Sequence, residues 1–385
     1  MTTEPLRATH ELTPLIREWR EQTEADRCIA GAVVDRLRAS RLARMAVPEP
    51  LGGLETPTPE ALRVYEALAG AEASVAWVTW NNSLPCLFSR FLSPDARAEI
   101  FADPDWLYAN STRPSGKAVA CDGGYRVSGR WSLVSGCELA EWMAFVCRVE
   151  ENGQPRMLQP GVPEMRFMFV RKDDCEIIDT WHAGGLRGTG SHDVAVRDVL
   201  VSEAHSASPA AASTIDAPIG RVPIISTLSA GFAAQALGIA FAALDTVLEL
   251  ARTKVSPDPH PDLKDLPANQ ASAAAQRAAL TAARTHLHAS VGRIWDKAAA
   301  GRPVDLDDIS AVWGASLHAD EVSRHAVDAM YAIGGTSSLY TSCPLERAHR
   351  DLHAMMRHIV CQPLWLENAG RVMFGMQPVE PLYAL

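Results

Sequence analysis

The 385-residue sequence lacks a surplus of positive charge, since 36 Lys and Arg stand against 46 Asp and Glu, a net charge of −10. Nucleic-acid binding depends on cations that neutralise phosphates, so this balance argues against a nucleic-acid-binding protein. An uninterrupted apolar run of about 18 residues is also missing, and we expect no membrane-spanning helix. The N-terminal segment Met1–Glu21 carries early acids and no apolar core of a signal peptide.

The eight cysteines show neither a Cys-x-x-Cys motif nor a paired spacing. Isolated cysteines are typical of reduced thiols, so we expect free thiols and a cytoplasmic location. With 47% hydrophobic and 21% charged residues, the composition suits a large core. The length exceeds that of a single core, which predicts two or three subdomains. Composition therefore indicates an acidic globular protein and leaves its activity open.

Several catalytic motifs are also missing: Gly-x-Ser-x-Gly, the phosphate loop ending in Gly-Lys-Ser/Thr, and His-Glu-x-x-His. The segment richest in glycine, Gly184–Ser191, departs from the dinucleotide fingerprint, because its glycines have another spacing and a strand follows. This pattern favours a tight turn that leads into a strand over Asp193–Val201.

The pair His349 and His353 and the single residue His358 need separate interpretations. His349 and His353 are four residues apart and could share a metal on one helix face, but the sequence implies no third ligand, so we predict no metal site. His358 stands among Met355, Met356, Ile359 and Val360. A histidine in such surroundings is either a buried structural residue or a catalytic base, and the residues alone leave both possibilities open.

Hydrophobic periodicity divides the chain into three parts and predicts an α+β fold. Residues 1–105 have helical spacing that is interrupted between Pro48 and Gly53. Residues 106–220 contain short alternating strands, typical of a compact β-barrel or sandwich, followed by a Ser/Ala/Pro-rich linker from 206. Residues 221–385 predict a four-helix bundle. Its helices are expected over Pro223–Arg252, Asn269–Ala300, Asp305–Ile333 and Leu345–Phe374.

Five strings in the right order resemble the acyl-CoA dehydrogenase superfamily over nearly the whole chain. They are Val47–Gly53 (VPEPLGG), Asp122–Ser132 (DGGYRVSGRWS), Leu186–Asp193 (LRGTGSHD), Ile333–Gly335 (IGG) and Leu345–Asp351 (LERAHRD). The resemblance implies an N-terminal helical domain, a central β-barrel and a C-terminal four-helix bundle. It also implies a homotetramer with flavin between barrel and bundle.

Within that superfamily the chain is similar to the two-component flavin-dependent monooxygenases. Many dehydrogenases place a catalytic Glu shortly after the Arg-Asp that matches Arg350-Asp351, whereas this stretch has no carboxylate and carries His358, as monooxygenase relatives do. The dehydrogenase Arg-x-x-Phe-Gly segment keeps Arg252 but loses Phe-Gly. The resemblance therefore implies reduced FMN or FAD (FMNH₂ or FADH₂) from a separate NAD(P)H-flavin reductase, and O₂ as cosubstrate.

Site residues follow from the same resemblance. Ser135 would hold a C4a-hydroperoxyflavin and His358 would act as base or orient the substrate. Flavin would be bound by residues near its pyrimidine side, near N5 and near its phosphate. These residues are Asn110, Ser111, Thr112, Ser135, Gly136, Arg252, Gly334 and Gly335.

The activity and the substrate keep alternatives at this stage. An acyl-CoA or acyl-carrier dehydrogenase with a base elsewhere in the bundle is one, and a non-catalytic flavin-binding or assembly subunit is another. Phenol-hydroxylating relatives often carry an additional His in the helix that matches Asn81–Phe91, where this chain has Pro85 or Phe88. An aromatic, a polycyclic and an amine substrate therefore all stay open.

Overall fold

A computed structural model describes residues 3–255 and 260–385, with a helical N-terminal part, a central sheet and a helical C-terminal part. The predicted N-terminal helical region is confirmed. Ser93 is the N-cap of the short helix α6, because its hydroxyl accepts from Ala96 N–H at 3.3 Å. The helices are α1 (Glu4–Glu18), α2 (Arg20–Asp26), α3 (Gly31–Ser40), α4 (Thr58–Ala71), α5 (Ala73–Phe88) and α6 (Pro94–Ile100).

Helix α5 lies at the centre of the molecule. Every residue of it except Asn81 is buried, because it is apolar on all sides and packs against β1, α4 and α7. A helix enclosed in this way holds its side chains rigidly. It thereby carries Trp77, Trp80 and Asn81 into the space between the sheet and the C-terminal helices.

The central region is a sheet with the order β10-β7-β3-β1-β2-β9-β8, with β4 beside β3 and a separate β5–β6 hairpin. Only the β1–β3 pairing is parallel among the described strands. Its strands are β1 (Leu107–Cys121), β2 (Gly124–Val134), β3 (Ala140–Glu151), β4 (Gln154–Pro155), β5 (Met157–Gln159), β6 (Val162–Pro163), β7 (Met165–Arg171), β8 (Glu176–Ile178), β9 (His192–Ser202) and β10 (Ser206–Ala207).

The predicted central β region is thus confirmed, but a closed barrel is not. In the part of the chain that the structure describes, the end strands β10 and β8 do not pair with each other. A tight turn between β1 and β2 contains Gly123, which has a φ of +82°, a conformation that glycine adopts without steric cost. The glycine-rich segment forms the predicted turn before β9.

Three of the four predicted C-terminal helices are confirmed within two residues at each end: α7 (Ile224–Thr253), α8 (Pro267–Ala299) and α9 (Leu306–Gly334). By length and composition α7 could cross a membrane, yet 83% of its most apolar window is buried within the molecule, as in the core helix of a globular protein. It packs against α4 and α9.

The prediction of one long fourth helix over Leu345–Phe374 is wrong. The chain forms α10 (Pro344–Met355), a turn at Ile359–Cys361 and α11 (Leu364–Met373). His358 stands at the break with extended backbone angles, and the indole N–H of Trp365 donates to the carbonyl of Ile359 at 2.8 Å. Because Pro363 also cannot donate a helical hydrogen bond, the helix ends and restarts. A predicted four-helix bundle is therefore three long helices with two short ones.

Candidate active site

His358 lies in an aromatic enclosure formed by two helices. Its ring centroid is 5.5 Å from Trp77 and 5.8 Å from Trp80, both edge-on, and 5.7 Å from Phe232, which is stacked on it. The tryptophans come from α5 and the phenylalanine from α7. The break after α10 is what lets the histidine reach between them. Its Nδ1 accepts a long hydrogen bond of 3.4 Å from the N–H of Val360.

The enclosure keeps His358 neutral. Desolvation, together with the smaller effect of the positive charge of Arg113, lowers the pKa of its imidazole from 6.5 to about 4. A neutral imidazole offers a lone pair on one nitrogen and a proton on the other. At neutral pH the ring can therefore accept a hydrogen bond from a substrate hydroxyl or N–H group.

A chain of hydrogen bonds links Trp77 to the glycine-rich turn. The indole N–H of Trp77 donates to Ser135 Oγ at 2.9 Å, Ser135 Oγ lies 2.7 Å from Ser191 Oγ, and Ser191 Oγ lies 2.6 Å from Thr189 Oγ1. The hydroxyl of Thr189 donates to the carbonyl of Leu186 at 2.9 Å.

The two ends of this chain determine its direction. An indole nitrogen can only donate and a carbonyl can only accept, and each hydroxyl has one proton. All four contacts are satisfied together only when Ser135 donates to Ser191 and Ser191 donates to Thr189. In this arrangement the proton of Ser135 points away from His358, toward the turn.

The strand segment predicted to face flavin leaves the sheet beside α5. The β1–β3 register shifts between Ser111 and Gly116, so Thr112–Ser115 bulges out of the ladder and is exposed. The amide of Asn110 is buried and donates to the backbone and side-chain oxygens of Asn81, each at 2.9 Å. The bulge also brings Arg113 close enough to His358 to affect its pKa.

The glycine-rich turn is fastened to α10. The N–H of Leu186 donates to Asp351 Oδ1 at 2.7 Å, and Arg350 donates to the carbonyl of Gly184 at 3.1 Å. A Cβ on Gly185 would lie 2.3 Å from the carbonyl oxygen of Arg350, so only glycine fits. The Arg-Asp pair of the sequence motif thus supports the turn that carries Thr189 and Ser191.

A second group of predicted flavin-binding residues lies elsewhere. Arg252 ends α7 with its side chain exposed and pairs weakly with Glu249. It stands about 30 Å from Phe232, roughly 20 residues along the helix at about 1.5 Å per residue. Lys254 bonds Ser337 at 2.8 Å, which places Gly334 and Gly335 at the same end. One chain therefore carries the two groups at two separate places.

A cavity of about 980 Å³ lies away from His358. It lies between α1, α4, α7, α8 and α10 and is lined in part by Arg63, Glu66 and Arg284. None of the predicted site residues lines it. The candidate site is instead the place where side chains from four elements converge. The size of a cavity alone does not indicate which reaction it could support.

Sequence reasoning brought together His358, Ser135, Gly136 and Asn110 but missed the residues that connect them. Trp77 contacts both His358 and Ser135, and Asn81 holds Asn110. Trp77, Trp80 and Asn81 recur at helical spacing within an apolar segment, and this was the available signal. Polar groups on one face of an almost wholly buried helix need hydrogen-bond partners. For Trp77 and Asn81 these partners are Ser135 and Asn110, which belong to the candidate site.

A chain with these helices, this sheet and an aromatic-enclosed histidine has the architecture of the acyl-CoA dehydrogenase class of flavoproteins. Residues 7–102 match the family model "Acyl-CoA dehydrogenase, N-terminal domain", and residues 230–363 match "Acyl-CoA dehydrogenase, C-terminal domain". Both matches fall on the helical parts of the chain.

Individual relatives are more specific. The chain is 30% identical over 357 residues to an indole-3-acetate monooxygenase of Pseudomonas putida, covering 92% of this chain and 90% of the relative. It is 27% identical over 374 residues to a flavin-dependent monooxygenase oxygenase subunit, HsaA, of Rhodococcus jostii, covering 94% and 95%. The chain belongs to the flavin-dependent monooxygenase branch of the acyl-CoA dehydrogenase superfamily.

A solved structure gives the same relationship. XiaF from Streptomyces, determined with FADH₂ and glycerol, superposes with a TM-score of 0.90 at 26% identity, covering 98% of this chain and 96% of XiaF. The relatives thus favour a monooxygenase over the dehydrogenase alternative, in agreement with a histidine at the position where a dehydrogenase carries a carboxylate.

Proposed function

We propose that this chain is the oxygenase component of a two-component monooxygenase that transfers one oxygen atom from O₂ to a planar aromatic or heteroaromatic substrate. The observation that carries the proposal is a neutral His358 inside an aromatic enclosure, connected through Trp77 to the hydroxyl of Ser135. The enclosure supplies flat apolar surfaces and the histidine supplies a proton acceptor. A planar ring with one heteroatom that loses a proton suits both.

The residues present fit a flavin. Ser135 is buried, and its hydroxyl accepts a hydrogen bond from the indole of Trp77. The bulge at 112–115 leaves the backbone of those residues outside the pairing of β1 with β3. Gly136 has a φ of +73°, and a Cβ there would lie 3.0 Å from Val78 Cγ1, so glycine lets the segment pack closely on α5. Ser135, Gly136 and the Asn110–Thr112 segment would hold the flavin ring. When bound, reduced flavin supplies the two electrons that activate O₂.

His358 serves the substrate. Its neutral imidazole would accept the proton of a phenol, an indole or an amine as oxygen is transferred, which makes that substrate more nucleophilic. The surrounding Trp77, Trp80 and Phe232 exclude water from the same space. Exclusion of water matters because it limits loss of the activated oxygen as hydrogen peroxide.

Ser135 can serve both as acceptor and as donor. If the hydroxyl chain reverses, Thr189 donates to Ser191, Ser191 donates to Ser135, and Ser135 donates into the cleft. The carbonyl of Leu186 stays satisfied, because it also accepts from the backbone N–H of Thr189 and the indole of Trp181, each at 3.1 Å. The reversal therefore leaves no buried acceptor unpaired, and Ser135 can donate to bound cofactor when charge develops there.

The distance between the two groups of predicted flavin-binding residues supports an oligomer. Arg252, Gly334 and Gly335 are too far from Ser135 to share one flavin ring, so we propose that they contact the distal part of a flavin bound by a neighbouring subunit of a homotetramer. A guanidinium suits a flavin phosphate. We further propose a separate NAD(P)H-flavin reductase in the cytoplasm as electron source. FAD suits this arrangement better than FMN, because its longer distal part reaches farther.

The proposed function is tested by replacing the base. With enzymatically reduced flavin, O₂ and a panel of indole, indole-3-acetate and phenol, we expect His358→Gln to lower product formation at least about 100-fold while oxygen uptake continues as peroxide release. His286→Ala, an exposed histidine on α8, is the matched control and should behave as wild type. Undiminished product formation by His358→Gln would refute the role of His358, and no oxygenated product from wild type with any probe would count against the proposed substrate class.

A further inference from the structure

Two histidines on α10 face a carboxylate on α9. His349 and His353 are one helical turn apart, with ring centroids separated by 4.3 Å. Asp328 Oδ1 lies 2.7 Å from His353 Nε2 and 3.5 Å from His349 Nε2. All three potential ligand atoms lie within 4.8 Å of one another. The sequence showed the two histidines without a third ligand, and the packing of α10 on α9 supplies it.

The spacing suits a small divalent cation. Tetrahedral Zn²⁺ with metal–ligand distances of about 2.0–2.2 Å places neighbouring ligand atoms about 3.3 Å apart. The two measured contacts to Asp328 Oδ1 bracket this value. The ring of Tyr331 packs on His349 at 4.4 Å and holds it in place. The three side chains are between 30% and 37% exposed, so an ion can enter and water can complete its coordination.

Nearby charges leave the required oxygen free. Arg324 approaches the other carboxylate oxygen, Asp328 Oδ2, at 3.3 Å, and is itself paired with Glu321 at 2.7 Å. Glu346 is engaged by Arg350 at 2.9 Å and adds no fourth ligand. The positive charge of Arg324 will weaken cation binding while it orients the carboxylate, which points to micromolar rather than nanomolar affinity.

We propose that Asp328, His349 and His353 form a binding site for a first-row divalent cation, with Zn²⁺ as the best-matched ion. Two imidazoles and one carboxylate are donors that Zn²⁺, Co²⁺ and Ni²⁺ prefer over Mg²⁺ or Ca²⁺. A bound ion would fasten α10 to α9 immediately before the turn that carries His358. The site is independent of the proposed oxygenase activity, because none of its three ligands belongs to the flavin or substrate site.

The test uses the flavin-free full chain and metal salts alone. Isothermal titration with Zn²⁺ should show one ion per chain, and Co²⁺ should produce visible absorption bands without the strong near-ultraviolet band of thiolate ligation. His349→Ala keeps the bond between His353 and Asp328, so it should fold normally and lose at least about tenfold in affinity. His325→Ala, an exposed histidine on α9 paired only with Glu321 among the described carboxylates, is the matched control.

Tight one-to-one binding that His349→Ala weakens and His325→Ala leaves unchanged would support the site. Zn²⁺ should also raise the melting temperature of wild type and of His325→Ala by several degrees, but not that of His349→Ala. Wild-type binding weaker than about 1 mM, or binding that His349→Ala does not weaken, would overturn the proposal. Neither result depends on catalytic activity, so failure of the metal site is distinguishable from failure of the oxygenase assignment.

Discussion

At single residues of this molecule, some contacts leave room for no other side chain. Gly185 is one of them, since a Cβ there would lie 2.3 Å from the carbonyl oxygen of Arg350, whereas a Cβ on Gly184 meets nothing within 4 Å. We expect Gly185→Ala to destabilise the protein by about 1–3 kcal/mol through overpacking against α10. Gly184→Ala should lie within about 0.5 kcal/mol of wild type.

Urea unfolding monitored by circular dichroism checks this pair. Because Gly185 belongs to the turn that carries Thr189 and Ser191, its replacement should also lower the fraction of oxygen uptake that yields product. Equal stability of the two variants would mean that the turn does not dock on α10 as described.

The hydrogen bond between Trp77 and Ser135 gives a second prediction at this scale. Trp77→Phe keeps an aromatic ring beside His358 but removes the N–H that donates to Ser135. We expect about a three- to tenfold fall in product formed per O₂ consumed, with folding retained. Trp80→Phe is the matched control, because Trp80 also contacts His358 but donates to the carbonyl of Leu228 instead. If Trp77→Phe and Trp80→Phe form the same amount of product per O₂ consumed, the chain of hydroxyl groups has no part in the chemistry.

The low pKa of His358 predicts a dependence of stability on pH. Between pH 6.5 and about 4 the unfolded chain binds a proton at this histidine and the folded chain does not. The unfolded state is therefore favoured increasingly as pH falls through this range, and the effect is absent above it. Between pH 7.5 and pH 5, wild type should lose about 1–2 kcal/mol more stability than His358→Gln. If the urea midpoints of wild type and His358→Gln fall by the same amount between pH 7.5 and pH 5, His358 is not desolvated and neutral.

At the scale of secondary-structure elements, the break between α10 and α11 positions His358. The indole of Trp365 donates to Ile359 O and stacks on Trp313 at 4.2 Å, whereas the indole nitrogen of Trp313 is buried without a hydrogen-bond partner among the described residues. Trp365→Phe loses that bond and should loosen the turn, lowering product yield and reducing stability by about 1 kcal/mol.

Trp313→Phe is its matched control, because the substitution keeps the stacked pair and costs no hydrogen bond. Product yield per O₂ and the urea midpoint, measured for Trp365→Phe and Trp313→Phe, test whether the bond to Ile359 holds the turn. A lower yield in Trp313→Phe than in Trp365→Phe would show that the stacking, and not the bond to Ile359, holds the turn.

The same elements show what periodicity can and cannot predict. The long amphipathic patterns of α7, α8 and α9 predicted their ends within two residues, because an apolar face recurs over many turns. The break before α11 escaped prediction, since Leu345–Phe374 keeps helical spacing across it. Pro363 was the local signal for the break, because it cannot donate a helical hydrogen bond, and the bond from Trp365 to the carbonyl of Ile359 closes the turn. Alternation predicted the central β region, but strand order and closure depend on pairings between distant segments.

At the scale of the whole molecule, the chain is an acidic protein whose three regions meet at one buried helix, α5. Its sequence motifs predicted the superfamily, which is confirmed, whereas the roles of His358, Ser135, Gly136 and Asn110 stay predictions. The motifs could not predict Trp77 or Asn81 as connecting residues, because no local pattern records which distant hydroxyl or amide a buried indole will meet. The third metal-binding side chain, Asp328, escaped for the same reason.

The length of α7 separates the two groups of predicted flavin-binding residues. Arg252 and Gly335 lie at the far end of α7 from Phe232, which is why we propose that a second subunit completes the cofactor site. We expect Arg252→Ala to weaken binding of FADH₂ at least about tenfold while leaving the His358 enclosure intact. Fluorescence titration with reduced and oxidised flavin under anaerobic conditions measures this. Unchanged affinity in Arg252→Ala would exclude the shared arrangement.

The central claim is that this chain transfers oxygen from O₂ with reduced flavin supplied from outside. The most direct measurement is a single turnover in which the protein, loaded anaerobically with reduced flavin and an indole probe, is mixed with isotopically labelled O₂. The account predicts one labelled oxygen atom in the product, with product formation lost in His358→Gln. Oxidation of an acyl-CoA thioester without O₂, together with no labelled product from the indole probe, would contradict it.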